Sequence, residues 1–236
     1  AGGLAALAAF LLALLSKESA VTLFGLIVVA DLWRGTTAGI VSTVRDGWAR
    51  WLGFVAVFAL CLGIRKVGAG VGFSAGDLSV MDQPLYGEPY WIRWLTALKI
   101  LSIYLEFVIL PVRLSVDYSI NAITLATSFL DLRVVSGLVA GVLGITFWVR
   151  AYPGHRTAFI LAALAWVPYA AVSQAFILLN SMVQERYIYI PVLGAFALCG
   201  LGLDRAISKG RRFWVGIAAA AVVLYAARTV DRNRDW

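Results

Sequence analysis

Long apolar runs separated by short charged clusters dominate this chain. They include AGGLAALAAFLLALL, VTLFGLIVVADLW, FVAVFALCLGI, LVAGVLGITFWV, FILAALAWVPYAAV and GIAAAAVVLYAA. In lipid, a backbone must satisfy its own amides and carbonyls, which leaves only helices or a closed barrel. Continuous runs, rather than alternation every second residue, select helices. The composition agrees: 61% of residues are apolar and 14% charged, against roughly a quarter charged in a soluble domain. So little polar surface cannot clothe a soluble globule of this size. The fold expected is all-α, a polytopic transmembrane bundle with about seven spanning helices.

Helices are predicted over 2–15, 20–33, 51–65, 93–112, 132–149, 157–179, 188–203 and 213–227, with 34–50 as a connecting loop. Residues 67–92 form a Gly-rich polar stretch carrying Asp77, Asp82 and Glu88. Tyr86, Tyr90, Trp91 and Trp94 follow, and such aromatics favour the headgroup region. One helix differs from the rest. Over 93–112, Arg93, Thr96, Lys99, Ser102 and Glu106 recur every three or four positions and mark a polar stripe. That helix either lies along the membrane interface or forms a re-entrant hairpin with 120–131.

The same conclusion follows from charge. Basic residues collect on cytoplasmic loops, which places Arg34/Arg45/Arg50, Arg150/Arg156 and Arg205/Lys209/Arg211/Arg212 on one side. Those assignments agree with one another only if 93–112 does not cross. The outer side then holds Lys17, Glu18, Asp77, Asp82, Asp117, Glu185 and Arg186. The net charge of +7 sits at helix ends, where it meets anionic lipid, so no nucleic-acid partner is expected. Cys61 and Cys199 lie inside apolar runs as packing residues. The sequence offers neither a disulfide framework nor zinc spacing, and no metal site is assigned.

Charged residues at the outer helix ends are the candidates for chemistry, each weighed against a plain structural role. Lys17 and Glu18 occupy a turn of a few residues between two apolar helices. They form either a solvated turn or an interfacial phosphate site in which Glu18 orients the cation. Glu185 and Arg186 precede Tyr187-Ile-Tyr189-Ile-Pro191, as a surface pair with an aromatic belt or as a second phosphate site. Arg is the better planar clamp for phosphate. Asp117, after Pro111, is a turn residue or an acceptor-side carboxylate, and Asp82 is a second such carboxylate; Tyr118 and Tyr189 are substrate-cavity candidates. His155, in a Pro-Gly loop on the basic side, is given no role.

ALLSKESAVTL, DQPL, LPVRLSVDYSINAI, VQERYIYIPVLGAF and ARTVDRNRDW occur in that order over nearly the whole chain. Together they resemble the TMTC family, the transmembrane and tetratricopeptide-repeat proteins, and its bacterial relatives. Gln83, Gln184 and Val192-Leu193 depart from the family pattern, where Asn, Ala and Ser-Val or Ser-Met are usual. The resemblance implies a C-type (GT-C) membrane glycosyltransferase. Such an enzyme takes a sugar from a polyprenyl-phosphate carrier and passes it to a protein Ser/Thr hydroxyl on the extracytoplasmic side. It implies a membrane domain over 1–227, an extracytoplasmic linker from 228, and tetratricopeptide repeats beyond. The expected setting is a bacterial inner membrane, with lipid, the lipid-linked donor, a protein acceptor and a possible larger complex as partners. Because the chain starts within an apolar run and without Met, it reads as a piece of a longer protein, with the catalytic Asp of a first outer loop expected upstream. A non-catalytic scaffold or lipid-binding subunit is the alternative. A transporter is the second, disfavoured because no internal repeat and no mid-helix ionisable pair is evident.

Overall fold

The computed structural model describes residues 2–35, 40–69, 83–111, 115, 118, 123–179, 181–211 and 213–234. The expected all-α architecture is observed, and no strand occurs among the described residues. The helices are α1 (Gly2–Ser16), α2 (Val21–Arg34), α3 (Ile40–Ala69), α4 (Tyr90–Ile109), α5 (Leu132–Gly154), α6 (Arg156–Val172), α7 (Tyr189–Ser208) and α8 (Phe213–Arg232). Short 3-10 turns at Glu18–Ala20 and Glu185–Ile188 lead into α2 and α7. Among the described residues, four segments are long and apolar enough to cross a membrane: Ile40–Gly68, Leu132–Tyr152, Glu185–Ser208 and Phe213–Arg232; α1 and α6 are shorter apolar helices. Their outward faces display large apolar side chains such as Val41, Leu132 and Leu224. In water such a surface would be a liability; against hydrocarbon it is what a spanning helix needs.

Packing fixes two ends of the bundle. α6 is central, with α2, α5 and α7 around it, while α1 packs on α3 through an edge-on Phe10–Phe54 contact. Gly25 faces Val167, and Val29 clusters with Ala151, Ala158, Phe159 and Ala163. The start of α2 is therefore level with the end of α6. Gly194 lets α7 approach the α6 backbone so closely that a Cβ would stand 2.5 Å from the Ala165 nitrogen. The Lys17 turn, residues 173–179 and 181–188 and the C-terminus of α8 thus share one end. Asp31, the α5–α6 turn at His155 and the α7–α8 turn at Lys209 share the other.

α4 packs on the first half of α5, near this first end. Its Trp94 ring meets Phe176 edge-on, and Ile100, Ile103 and Tyr104 pack with Leu85, Leu178, Met182 and Val183. The polar stripe read from sequence faces protein. Thr96 Oγ1 accepts the Ala126 amide at 3.0 Å, and Lys99 Nζ reaches Thr124 Oγ1 at 3.1 Å and Asp131 Oδ2 at 3.0 Å. Ser102 meets Ser136 at 2.8 Å, Glu106 pairs with Arg133 at 3.1 Å, and Arg93 sits over the Tyr90 ring. Asp131 also caps α5 by accepting the Arg133 amide, which satisfies one of the orphan donors of that helix. The stripe therefore knits α4 to residues 124–136. At Gly137 the two helices approach so closely that a Cβ would lie 1.9 Å from the Leu98 carbonyl oxygen.

Three expectations change. The segment read as a loop over 34–50 is helical from Ile40, because buried Asp31 of α2 holds its polar face. Arg50 forms an ion pair with Asp31, and Trp51 Nε1 donates to the same carboxylate at 2.8 Å. The helix read over 132–149 also runs longer, to Gly154. Finally, α6 ends at Val172 rather than near 179. Gln174 takes φ 64°, a left-handed conformation that breaks the helix. Its side chain donates to the Ser181 and Met182 carbonyls and accepts from the Leu179 amide and Gln83 Nε2. Gln83 also donates to the Leu179 carbonyl at 2.6 Å, so the DQPL segment fastens this turn.

Candidate functional site

The spacing of Tyr225, Arg228 and Arg232 along α8 puts all three on one helical face. Tyr225 OH donates to the carbonyls of Val108 and Ile109, and Arg228 Nε donates to the Pro111 carbonyl at 3.1 Å. These acceptors belong to the last turn of α4 and the residues after it, where carbonyls lack intrahelical partners. Arg228 also pairs with Asp231 at 2.7 Å. One turn further, Arg232 Nη1 stands 3.2 Å from Glu185 Oε1; this nitrogen is buried and makes no hydrogen bond of good geometry.

Glu185 opens the 3-10 turn before α7. The carboxylate accepts from Tyr118 OH at 3.2 Å, and that hydroxyl accepts the Ser115 amide at 2.9 Å. Burial, foremost, and the neighbouring Glu185 charge push the Tyr118 phenol above its ordinary range, against the opposing pull of the Ser115 amide and Arg232. Tyr118 is thus held protonated, as a donor to Glu185. The residue before Glu185 is anchored as well: Tyr104 OH donates to the Gln184 carbonyl and accepts its amide.

A groove of about 400 Å³ opens beside this cluster. Phe107, Val108, Ile188, Val192 and Phe196 form its apolar walls, and Glu185, Arg228, Thr229, Arg232 and Asn233 its polar end. An apolar slot with guanidinium groups at one end suits an amphiphile carrying a negative head.

Among the residues expected from sequence, Glu185 and Tyr118 meet directly, and Tyr189, largely exposed, lines the groove. Lys17 and Arg186 are exposed at this same end and do not line the groove. The Arg186 guanidinium leans over the Tyr187 ring, 5.9 Å from its centroid. Asp117, Asp82 and the Glu18 side chain lie outside the described residues. Sequence reasoning missed Tyr225, Arg228 and Arg232 as site residues. The spacing of Arg228 and Arg232 inside ARTVDRNRDW, on the face of Tyr225 just before it, was the available signal, and reading 228–236 as a linker obscured it: the helix runs to Arg232.

Residues 72–145 match the family described as protein O-mannosyl-transferase TMTC, DUF1736. This stretch contains α4 and its partners over 124–136. The chain is 28% identical to protein O-mannosyl-transferase TMTC3 of Mus musculus, over 95% of this chain and 27% of that protein. It is 25% identical to the Homo sapiens protein of the same name, over 98% of this chain and 28% of the relative. Against protein O-mannosyl-transferase tmtc2 of Xenopus laevis the identity is 32%, over 36% of this chain and 11% of the relative. The chain therefore spans about a quarter of the length of these two TMTC3 relatives. No solved structure matches it.

Proposed function

We propose that the chain, which is similar to TMTC proteins over most of its length, forms part of a membrane glycosyltransferase that moves a sugar from a polyprenyl-phosphate carrier to a protein hydroxyl. The observation that carries the proposal is the groove between α4, α7 and α8, where Arg228 and Arg232 stand at the polar end of an apolar slot. The first isoprene units lie along Phe107, Val192 and Phe196, and the phosphate meets the guanidinium groups. Glu185 holds Arg232 in place when the groove is empty and fixes its orientation when the phosphate arrives. Lys17 and Arg186, exposed at the same end, serve as approach residues for the anionic donor. By the charge of the loops this end is extracytoplasmic, and a bacterial inner membrane is the setting the sequence favours.

In the transfer, the acceptor hydroxyl oxygen attacks the anomeric carbon. The bond from that carbon to the phosphate oxygen breaks, and its electron pair leaves on the phosphate. The acceptor proton passes to a carboxylate base. Arg228 and Arg232 stabilise the charge that grows on the leaving phosphate, where fixed charge is most effective. Asp117, adjacent in sequence to Tyr118, and Asp82 are the candidate bases within this chain. The residues after Arg232 lead toward the expected tetratricopeptide repeats.

The test uses the intact protein in liposomes, with a mannosyl-phosphoryl polyprenol donor and a Ser/Thr peptide. Arg232→Gln should lower turnover about a hundredfold and weaken capture of a photoactivatable polyprenyl phosphate, while Lys209→Gln, at the other end of the bundle, leaves both near the parent level. Undiminished capture and turnover in Arg232→Gln would remove the groove from the reaction. Capture without turnover in the intact protein would favour the non-catalytic lipid-binding reading.

A further inference from the structure

A second cavity, of about 660 Å³, lies at the opposite end of the bundle between α1, α2 and α3. Its walls include Leu4, Leu7 and Phe54, and its rim carries Asp31, Arg34 and Arg50. We propose that this cavity seats the headgroup of an anionic phospholipid, with one acyl chain lying along the apolar wall between α1 and α3.

Charge and geometry together point to that occupant. The Asp31 side chain is 8% exposed and that of Arg50 53%, so the carboxylate is a fixed counter-charge and the guanidinium reaches outward from it. Trp51 Nε1 donates to the same carboxylate oxygen, so the anchor does not depend on Arg50 alone. A guanidinium carries five N–H donors, and Asp31 engages only part of the Arg50 fork. Arg34 adds a second cation to the rim. Two guanidinium groups against one carboxylate leave a formal +1, which one phosphodiester neutralises. A cationic rim above apolar walls selects an amphiphile over a free ion. This is also the end that carries the α5–α6 and α7–α8 turns, with Arg150, Arg156, Arg205, Lys209 and Arg211. Such a basic face concentrates anionic lipid at the adjoining leaflet. The inference does not rest on the donor groove, which lies at the other end and shares no residue with this cavity.

The experiment is native mass spectrometry of the intact protein released from mild detergent, titrated with phosphatidylglycerol, phosphatidylcholine or inorganic phosphate. Phosphatidylglycerol should be retained about tenfold better than phosphatidylcholine, whose quaternary ammonium offsets its phosphate charge beside the two guanidinium groups, and inorganic phosphate should not displace it. Arg34→Gln leaves the Asp31–Arg50 pair untouched and should still erase most of the preference. The double variant Asp31→Asn/Arg50→Gln strands no charge and should erase it as well. Equal retention of the two lipids, displacement by inorganic phosphate, or unchanged preference in both variants overturns the proposal. So does failure of Ala6→Cys to react with a lipid-soluble maleimide, because another part of the protein would then fill the cavity.

Discussion

Replacing Lys99 by Met tests whether the polar stripe of α4 holds that helix to residues 124–136. The stem keeps its packing and only the ammonium is lost. At the observed 3.0 Å to Asp131, the gross attraction is about 5 kcal/mol at an effective dielectric of about 20. Most of it is offset by desolvating Lys99, whose side chain is 10% exposed. What remains is the penalty of stranding the partner, about 3–5 kcal/mol for a fully buried pair. Asp131 is 28% exposed and keeps the Arg133 amide, so Lys99→Met should cost about 2–3 kcal/mol. Asp131→Asn keeps a competent helix cap but strands the ammonium, at a similar cost. The double variant strands neither charge and should be about 2 kcal/mol more stable than the sum of the single losses predicts.

Melting in mild detergent at one fixed scan rate is the appropriate assay, since membrane proteins commonly unfold irreversibly. The acid limb supplies an independent check. The Lys99 hydrogen bond, and then the Arg133 amide, hold the Asp131 carboxyl below its ordinary range. A folded-state value below the unfolded one stabilises the protein above the unfolded pKa, about 3.9, and that stability is lost as pH falls through the folded value. The parent should therefore lose extra stability below about pH 4, and Lys99→Met should lose less over the same interval. Strictly additive single costs, or a Lys99→Met change within about 0.5 kcal/mol, would refute the account of the stripe.

Gln83→Leu should destabilise the protein by about 2–3 kcal/mol and speed proteolysis within 173–184, because the Leu179 carbonyl and the Gln174 side chain both lose a buried donor. Gly137→Ala should lower the melting temperature sharply, since its Cβ would stand 1.9 Å from the Leu98 oxygen. Gly200→Ala meets nothing within 4 Å and should be neutral, or stabilising by up to about 1 kcal/mol. In proteoliposomes, Lys17→Cys and Asn233→Cys should label from one side and Lys209→Cys and His155→Cys from the other. Labelling of Lys17→Cys and Lys209→Cys from the same side would break the antiparallel order of the bundle.

How much of this was legible follows from the solvent. Apolar runs announce spanning helices directly, because lipid permits little else. They say little about which helix touches which, since the exterior of such a protein is as apolar as its interior. Thus α5, α7 and α8 could be read from sequence, whereas the early start of α3 could not. That start depends on Asp31 lying beside Arg50 and Trp51, a contact between two helices. The end of α6 was misread for a related reason. Ser173 to Leu179 is apolar enough to continue a helix, and only the Gln174–Gln83 exchange, reaching 91 residues along the chain, makes the break worthwhile.

Polar residues were the informative ones, and the structure shows why. A polar side chain in an apolar protein must find a partner or reach the interface, so its spacing reports a tertiary contact. The stripe from Thr96 to Glu106 finds partners over Thr124–Ser136. Tyr118 of LPVRLSVDYSINAI meets Glu185 of VQERYIYIPVLGAF, which meets Arg232 of ARTVDRNRDW; Arg228 of that last segment returns to Pro111 of the first. Three segments scattered over more than a hundred residues therefore close one circuit around the groove. Glu185 is its shared node: one carboxylate oxygen serves both Tyr118 and Arg232. Glu185→Gln should consequently loosen the loop at Tyr118 and the end of α8 together. Its effect should be non-additive with both Tyr118→Phe and Arg232→Gln, because both act on the one carboxylate oxygen.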